Sequence, residues 1–183
     1  MTLTEDGATR RPADRRERIL DVAERLARRG GYHGFSFRDV AAEVGVKSAS
    51  IHHHFPTKQD LAAALASRYC ARFIAGLGDP GAADAINRLV AAYRAAIRTD
   101  DQMCLCGMFG AEIDILPKAV SGEVREFYRA NVDWAGRALR GDDAVARAET
   151  LVAGLAGAML TARSLGDPSL FDRVAERLLR QVA

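Results

Sequence analysis

Apolar residues recur at helical spacing along almost the whole of this chain. Ile19, Val22, Ala23 and Leu26 fall at i, i+3, i+4 and i+7, which predicts a first helix from about Ala13 to Arg29. Gly30 and Gly31 end it by supplying the positive φ of a C-cap. Ser36 is placed to cap a second helix, in which Phe37, Val40, Ala41 and Val44 repeat the spacing and which Gly45 closes. A third helix starts near Ser48 and stops at Pro56, and Thr57 caps a fourth running through Leu61, Leu65 and Tyr69 to about Ile74. The breaker cluster GLGDPG at 76–81 marks a boundary. Further helices are predicted over about Ala82–Arg98, Gln102–Ile115, Pro117–Leu139 and Asp143–Leu165, with a last one after Gly166-Asp167-Pro168 ending at Val182. Neither strand alternation nor an internal repeat occurs, so the expected fold is all-α with about nine helices.

The second and third helices, joined by a tight turn and followed by a proline stop, have the layout of a helix-turn-helix, whose second helix enters the major groove of DNA. At 100° per residue, an inward Ile51 turns Ala49, Ser50, His52 and His53 to solvent. Lys47, Ser48, His54 and Phe55 fall on the inner half or its edges. Small residues let such a helix sit deep, while Ser and His can bond to base edges or phosphates. Lys58 is placed to join the first amides of the fourth helix on a phosphate, and Ser36 and Arg38 are placed similarly at the start of the second. Three adjacent His do not form a helical metal pair, because neighbours diverge by about 100° where ligands need i, i+4 spacing. His54 is read as a packing residue. These spans divide the chain into a basic arm (1–12), a helix-turn-helix unit (13–58), a connecting helix (59–78) and a ligand-binding and dimerisation domain (79–183).

Charge supports the assignment through its distribution rather than its sum. The chain of 183 residues carries a formal +2, but residues 1–58 hold 11 Lys/Arg against 8 Asp/Glu and all four His. Residues 59–183 hold 15 against 16. Arg10, Arg11, Arg15, Arg16 and Arg18 crowd the start, either as a phosphate-seeking arm or as a solubilising tail. Charges interrupt every apolar run before it reaches bilayer-spanning length, and the polar, Arg-rich opening does not read as a signal peptide. Three Cys without framework spacing fit a reducing compartment, so a cytoplasmic protein is expected, with no cofactor and no membrane partner.

The residues Phe35-Ser36-Phe37-Arg38-Asp39-Val40-Ala41-Ala42-Glu43-Val44-Gly45-Val46, followed by Ser50-Ile51-His52-His53-His54-Phe55-Pro56-Thr57-Lys58, resemble the N-terminal signature of TetR-family regulators over about residues 13–70. The resemblance implies a homodimer that reads a palindrome in double-stranded DNA and leaves it when a small-molecule inducer binds the C-terminal domain. His52 stands where the family usually carries a phosphate-contacting tyrosine, which makes DNA affinity more sensitive to pH.

In the second half, Met103 to Ala111 is apolar all round, which predicts a central, buried helix. Cys104 and Cys106 point about 200° apart on such a helix, so a disulfide between them is not expected. The run Cys104-Leu105…Ala111-Glu112, with Gly157-Ala158-x-Leu160-x-Ala162, resembles the NemR-like branch of the family. There a cysteine at the position of Cys104 is implicated in sensing electrophiles, and Arg163 occupies the place where a lysine can accompany it. Cys104 is therefore either a sensor or a small buried apolar residue. A pocket would be lined by Tyr93, Met108, Phe109, Glu112, Phe127, Tyr128 and Trp134, whose plainer reading is core packing; Glu112 is the exception, since a carboxylate on an apolar helix needs a partner or a ligand. Leu151, Leu155, Ala158, Ala162 and Leu165, with Leu170, Val174 and Leu178, form the stripes expected to pair with a second protomer in a four-helix bundle, with ordinary intrachain core as the competing reading. The functional expectation is a non-enzymatic transcriptional repressor. A thiol-based redox enzyme on a helical scaffold and an activator of the same fold are the alternatives.

Overall fold

A computed structural model describes residues 12–98 and 103–182, and among them nine α-helices and no strand. They are α1 (Pro12–Gly30), α2 (Phe37–Val44), α3 (Ser48–His54), α4 (Lys58–Leu77), α5 (Ala85–Arg98), α6 (Leu105–Gly110), α7 (Lys118–Leu139), α8 (Ala144–Leu165) and α9 (Pro168–Val182). The basic arm, with Arg10 and Arg11, lies outside the described residues, as does Gln102 at the expected start of the sixth helix. That helix is also shorter than its apolar pattern suggests, because residues 111–115 form turns. Gly107 and Gly110 weaken the helix from within. Pro117 further biases Leu116 away from helical geometry.

Two apolar cores organise the chain. The first gathers Ile19, Ala23, Ala27, Val40, Ile51, Phe55, Leu61 and Leu65 from α1–α4, and it also takes Leu105, Phe109, Val120 and Val124 from α6 and α7. The second gathers Leu89, Tyr93, Cys106, Phe127, Trp134, Leu151, Leu155 and Phe171 from α5–α9. α4 passes from one core to the other, with Leu61 and Leu65 in the first and Leu77 in the second. The boundary expected at 78/79 is therefore bridged twice, by α4 and by the α6–α7 region. Side chains tie the ends: Trp134 Nε1–H donates to the Gly78 carbonyl at 3.0 Å, and Arg147 donates to Leu139 and Val182 carbonyls at 2.9 and 3.2 Å. These bonds satisfy carbonyls that helix ends leave open.

The helix-pairing stripe is corrected by burial. Leu151, Leu155, Ala158 and Ala162 are buried within the single chain, as is Leu178. They pack α8 against the rest of the fold rather than presenting it to a partner. Leu170 and Val174 are half-buried beside the same core, and only Leu165 of the expected set stands clear, at 66% exposure. Gly154 serves the same internal contact, since a Cβ there would meet Leu178 Cδ1 at 2.7 Å. The exposed side of α8 instead shows Val145, Ala153, Gly157 and Leu160. α8 is apolar on both sides, so periodicity cannot say which stripe turns inward. By length and composition alone α8 could cross a membrane, but its inner side is core.

Candidate nucleic-acid interface

The local sequence builds the reading head through its caps. Ser36 Oγ accepts the Asp39 N–H at 3.3 Å while Asp39 accepts the Ser36 N–H at 2.9 Å, a reciprocal capping box that starts α2. The Ser36 hydroxyl also donates to Asp39, which holds that carboxyl below its usual range. Gly45, at φ 78°, ends α2 in left-handed geometry that costs glycine little, and the chain turns directly into α3. Ile51 is fully buried and pins α3 to the core, while Phe55 closes the helix against it.

With Ile51 inward, Ala49, His52 and His53 are exposed as the phasing predicts, and Lys47 and Ser48 join them at the head of the helix. Ser50 is half-buried rather than fully exposed. His54 is also half-buried, and burial, followed by the charges of His53, Arg15 and Arg16, pushes its pKa down. His52 is held in place: its ring lies 4.6 Å from Phe37, edge to face, and its Nδ1 is 3.1 Å from the Pro56 carbonyl. A carbonyl only accepts, so Nδ1 carries a proton, and in the neutral ring Nε2 is left as an acceptor. A phosphate contact by His52 Nε2 therefore requires the imidazolium.

The flanking positions behave differently from one another. Arg38 is exposed in the first turn of α2, whereas the Ser36 hydroxyl is already committed to its cap. Lys58 is the first residue of α4, directly after the Thr57–Asp60 capping box. Its Nζ does not extend outward but lies over Tyr32 and Phe35, at 4.6 and 4.8 Å from the ring centroids. Burial lowers its pKa, and the charges of Glu112 and Asp39 partly oppose that shift.

Glu112, which needs a partner or a ligand, has its partner at the joint between the two halves. Its Oε2 accepts the Tyr32 N–H at 2.7 Å, and a Cβ on Gly31 would stand 2.7 and 2.9 Å from its two oxygens. Gly31, at φ 70°, is thus needed both for the turn and for the carboxylate's approach. At the other end of α6, Arg28 Nε–H donates to the Met103 carbonyl at 2.7 Å, and the Met103 N–H donates to Arg28 O at 3.2 Å. Both ends of this short helix are fastened to the end of α1. The sequence carried a partial signal, the Gly30-Gly31 pair, but contacts across 75–80 residues leave no local pattern.

The other expected sensing residues are mostly core. Tyr93, Phe109 and Trp134 are fully buried, Phe109 packing on Tyr32 in the reading-head core. Cys104 is the N-cap of α6 and is buried. Burial raises its pKa, so the thiolate is disfavoured, and the cation acting on it is Arg28 rather than Arg163. Arg163 lines a small recess with Ile97, Gly166 and Pro168. A larger recess of about 510 Å³ opens between α6, α7 and α8. Gly110, Ile113, Val124 and Val132 form its apolar part, and Arg125, Arg129, Asp133 and Glu149 are on its rim. Tyr128 is the one expected pocket residue that lines it, and Met108 is half-buried nearby on α6.

A short helix pinned by one isoleucine, presenting small and imidazole side chains beside two capped helix starts, defines a helix-turn-helix DNA-binding regulator. Residues 19–65 match the family model described as bacterial regulatory proteins, tetR family. A TetR-family transcriptional regulator from Agrobacterium tumefaciens is 33% identical, with 93% of this chain and 98% of that one aligned at a TM-score of 0.85. A TetR regulator from Legionella pneumophila is 27% identical over the full length of both chains, at a TM-score of 0.84. The reduced form of NemR from E. coli shares the fold at a TM-score of 0.76, with 20% identity over 90% of this chain and 95% of that one. No curated protein matches the chain. The chain belongs to the TetR family of transcriptional regulators.

Proposed function

We propose that this regulator is a homodimeric repressor that reads a palindromic operator and is released from it by a small molecule. Ala49, Ser50, His52 and His53 face the bases and the nearest phosphates, while Arg38, Lys47, Ser48 and the amide ends at Ser36 and Lys58 hold the backbone. The observation that carries this reading is the outward turn of Ala49, His52 and His53 on a helix whose only anchor into the core is the buried Ile51. The two reading heads serve successive major grooves when they stand roughly 34–36 Å apart, and an effector that changes this spacing weakens binding. Dimerisation falls to the exposed row Val145, Ala153, Gly157, Leu160 and Leu165 on α8. The effector is read between α6 and α7, where the recess touches Gly110 and Ile113 on either side of Glu112. It acts stoichiometrically and in the cytoplasm.

The thiol alternative is disfavoured by the buried, protonated state of Cys104, since the thiolate is the reactive form. N-ethylmaleimide tests it: alkylation that releases wild type but not Cys104→Ser from DNA restores the cysteine route. The main reading is tested by titrating the protein's own upstream DNA with wild type and Ala49→Glu. A carboxylate facing the groove is expected to cost at least about tenfold in affinity while leaving the melting temperature unchanged. If wild type binds no palindrome even at low salt, the repressor reading fails. A reporter in cells separates repression from activation.

A further inference from the structure

We infer that Glu112 is a positioning residue for DNA binding, holding the Lys58 ammonium against Tyr32 and Phe35 and so withholding this cation from a DNA phosphate. The inference rests on the DNA-reading role of the α3 face proposed above. Three observations carry it. Lys58 opens α4, a 20-residue helix, where the side chain and the first amides of the helix would together form a phosphate seat. Its Nζ is instead drawn back over two rings contributed by the α1–α2 segment, at 4.6 and 4.8 Å. The Glu112 carboxylate is fixed on the same residue, its Oε2 accepting the Tyr32 N–H at 2.7 Å, and its charge acts on Lys58 without a direct ion pair.

The seat is composite. Tyr32 and Phe35 belong to the reading head, whereas Glu112 belongs to the turn that follows α6. It is complete only while the end of α6 is docked on Gly31 and Tyr32. The ammonium cannot occupy this seat and a phosphate at once, so the docked carboxylate competes directly with DNA for one cation per protomer. Asp39, on α2, also acts on Lys58, but its carboxylate is engaged by the Ser36 cap. Glu112 is the anion whose placement depends on the other half of the molecule.

Glu112→Gln isolates the charge, because the amide oxygen can still accept the Tyr32 N–H. DNA affinity would be measured by fluorescence anisotropy on the operator over a salt series. The proteins are wild type, Glu112→Gln, the exposed-acid control Asp114→Asn, Lys58→Met, and the Lys58→Met/Glu112→Gln double variant, each checked for an unchanged melting temperature. Glu112→Gln is expected to bind about two- to fivefold more tightly per reading head. The plot of log K against log salt should steepen by about 0.9 per head as a further phosphate contact forms. Asp114→Asn should produce less than half of that gain, and Glu112→Gln should have no effect once Lys58 is methionine. Unchanged or weaker binding, an unchanged salt slope, a gain matched by Asp114→Asn, or a gain surviving without Lys58 overturns the inference. Failure of wild type to bind DNA overturns the DNA-reading proposal itself, and this one with it.

Discussion

Replacing Gly31 with alanine asks one Cβ to enter space that the Glu112 carboxylate already fills. Gly45 supplies the comparison, since both glycines have positive φ, 70° and 78°, but a Cβ at Gly45 meets nothing within 4 Å. At either site an L-residue in the left-handed region costs about 1–2 kcal/mol. At Gly31 the new Cβ stands 2.7 and 2.9 Å from the carboxylate oxygens, so Glu112 must withdraw and its bond to the Tyr32 N–H is lost. A hydrogen bond to a charged acceptor contributes about 1.5–3 kcal/mol, and half-burial places this one near the lower end. Gly31→Ala should therefore cost roughly 3 kcal/mol and Gly45→Ala roughly 1.5 kcal/mol. For a chain of this size the melting temperatures should fall by about 6–12 °C and 3–6 °C. Calorimetry at fixed protein concentration, supported by urea midpoints, reads the difference. In a Glu112→Ala background the cost of Gly31→Ala should shrink to that of Gly45→Ala. Equal costs in the wild-type background, or a Gly31→Ala cost that persists without Glu112, would refute the proposed joint.

Three further outcomes follow from the same geometry. His52→Phe, which keeps a ring against Phe37 but removes both nitrogens, should weaken DNA binding more than His53→Phe does, and equal losses in both variants would count against a role for the held imidazole. The pKa of His54 is held below its unfolded value, so the unfolded chain takes up the proton first and folding stability is lost as pH falls through the ordinary histidine range. Urea midpoints at pH 8 and 5.5 should therefore differ less in His54→Gln than in wild type. Leu160→Glu, on the exposed side of α8, should shift the protein from dimer to monomer in light scattering with little loss of secondary structure, whereas Leu155→Ala, fully buried, should cost about 2–5 kcal/mol of stability.

The reading head was legible because its signals are local. Ser36 and Thr57 act on amides three residues away, Gly45 acts on its own φ, and Ile51 sets the facing of its immediate neighbours. The sensing half was less so. Its apolar residues recur on more than one helical face, so periodicity identifies helices but cannot select the face that turns inward. Leu151 and Leu155 went to the intrachain core, the competing reading of their stripe, and Tyr93 and Trp134 to packing, which was their plainer reading.

What the chain's order of residues determined by itself is the set of helices, their caps and the exposed face of α3, since each depends on neighbours within about four positions. Tertiary structure alone brought the Glu112 carboxylate and the Lys58 ammonium to Tyr32. Glu112 reaches Tyr32 across 80 positions, and Lys58 turns from solvent toward rings that only the folded chain gathers. A lysine's spacing specifies its helix position, but the path of its flexible side chain is set by which anion and which aromatic faces lie within reach.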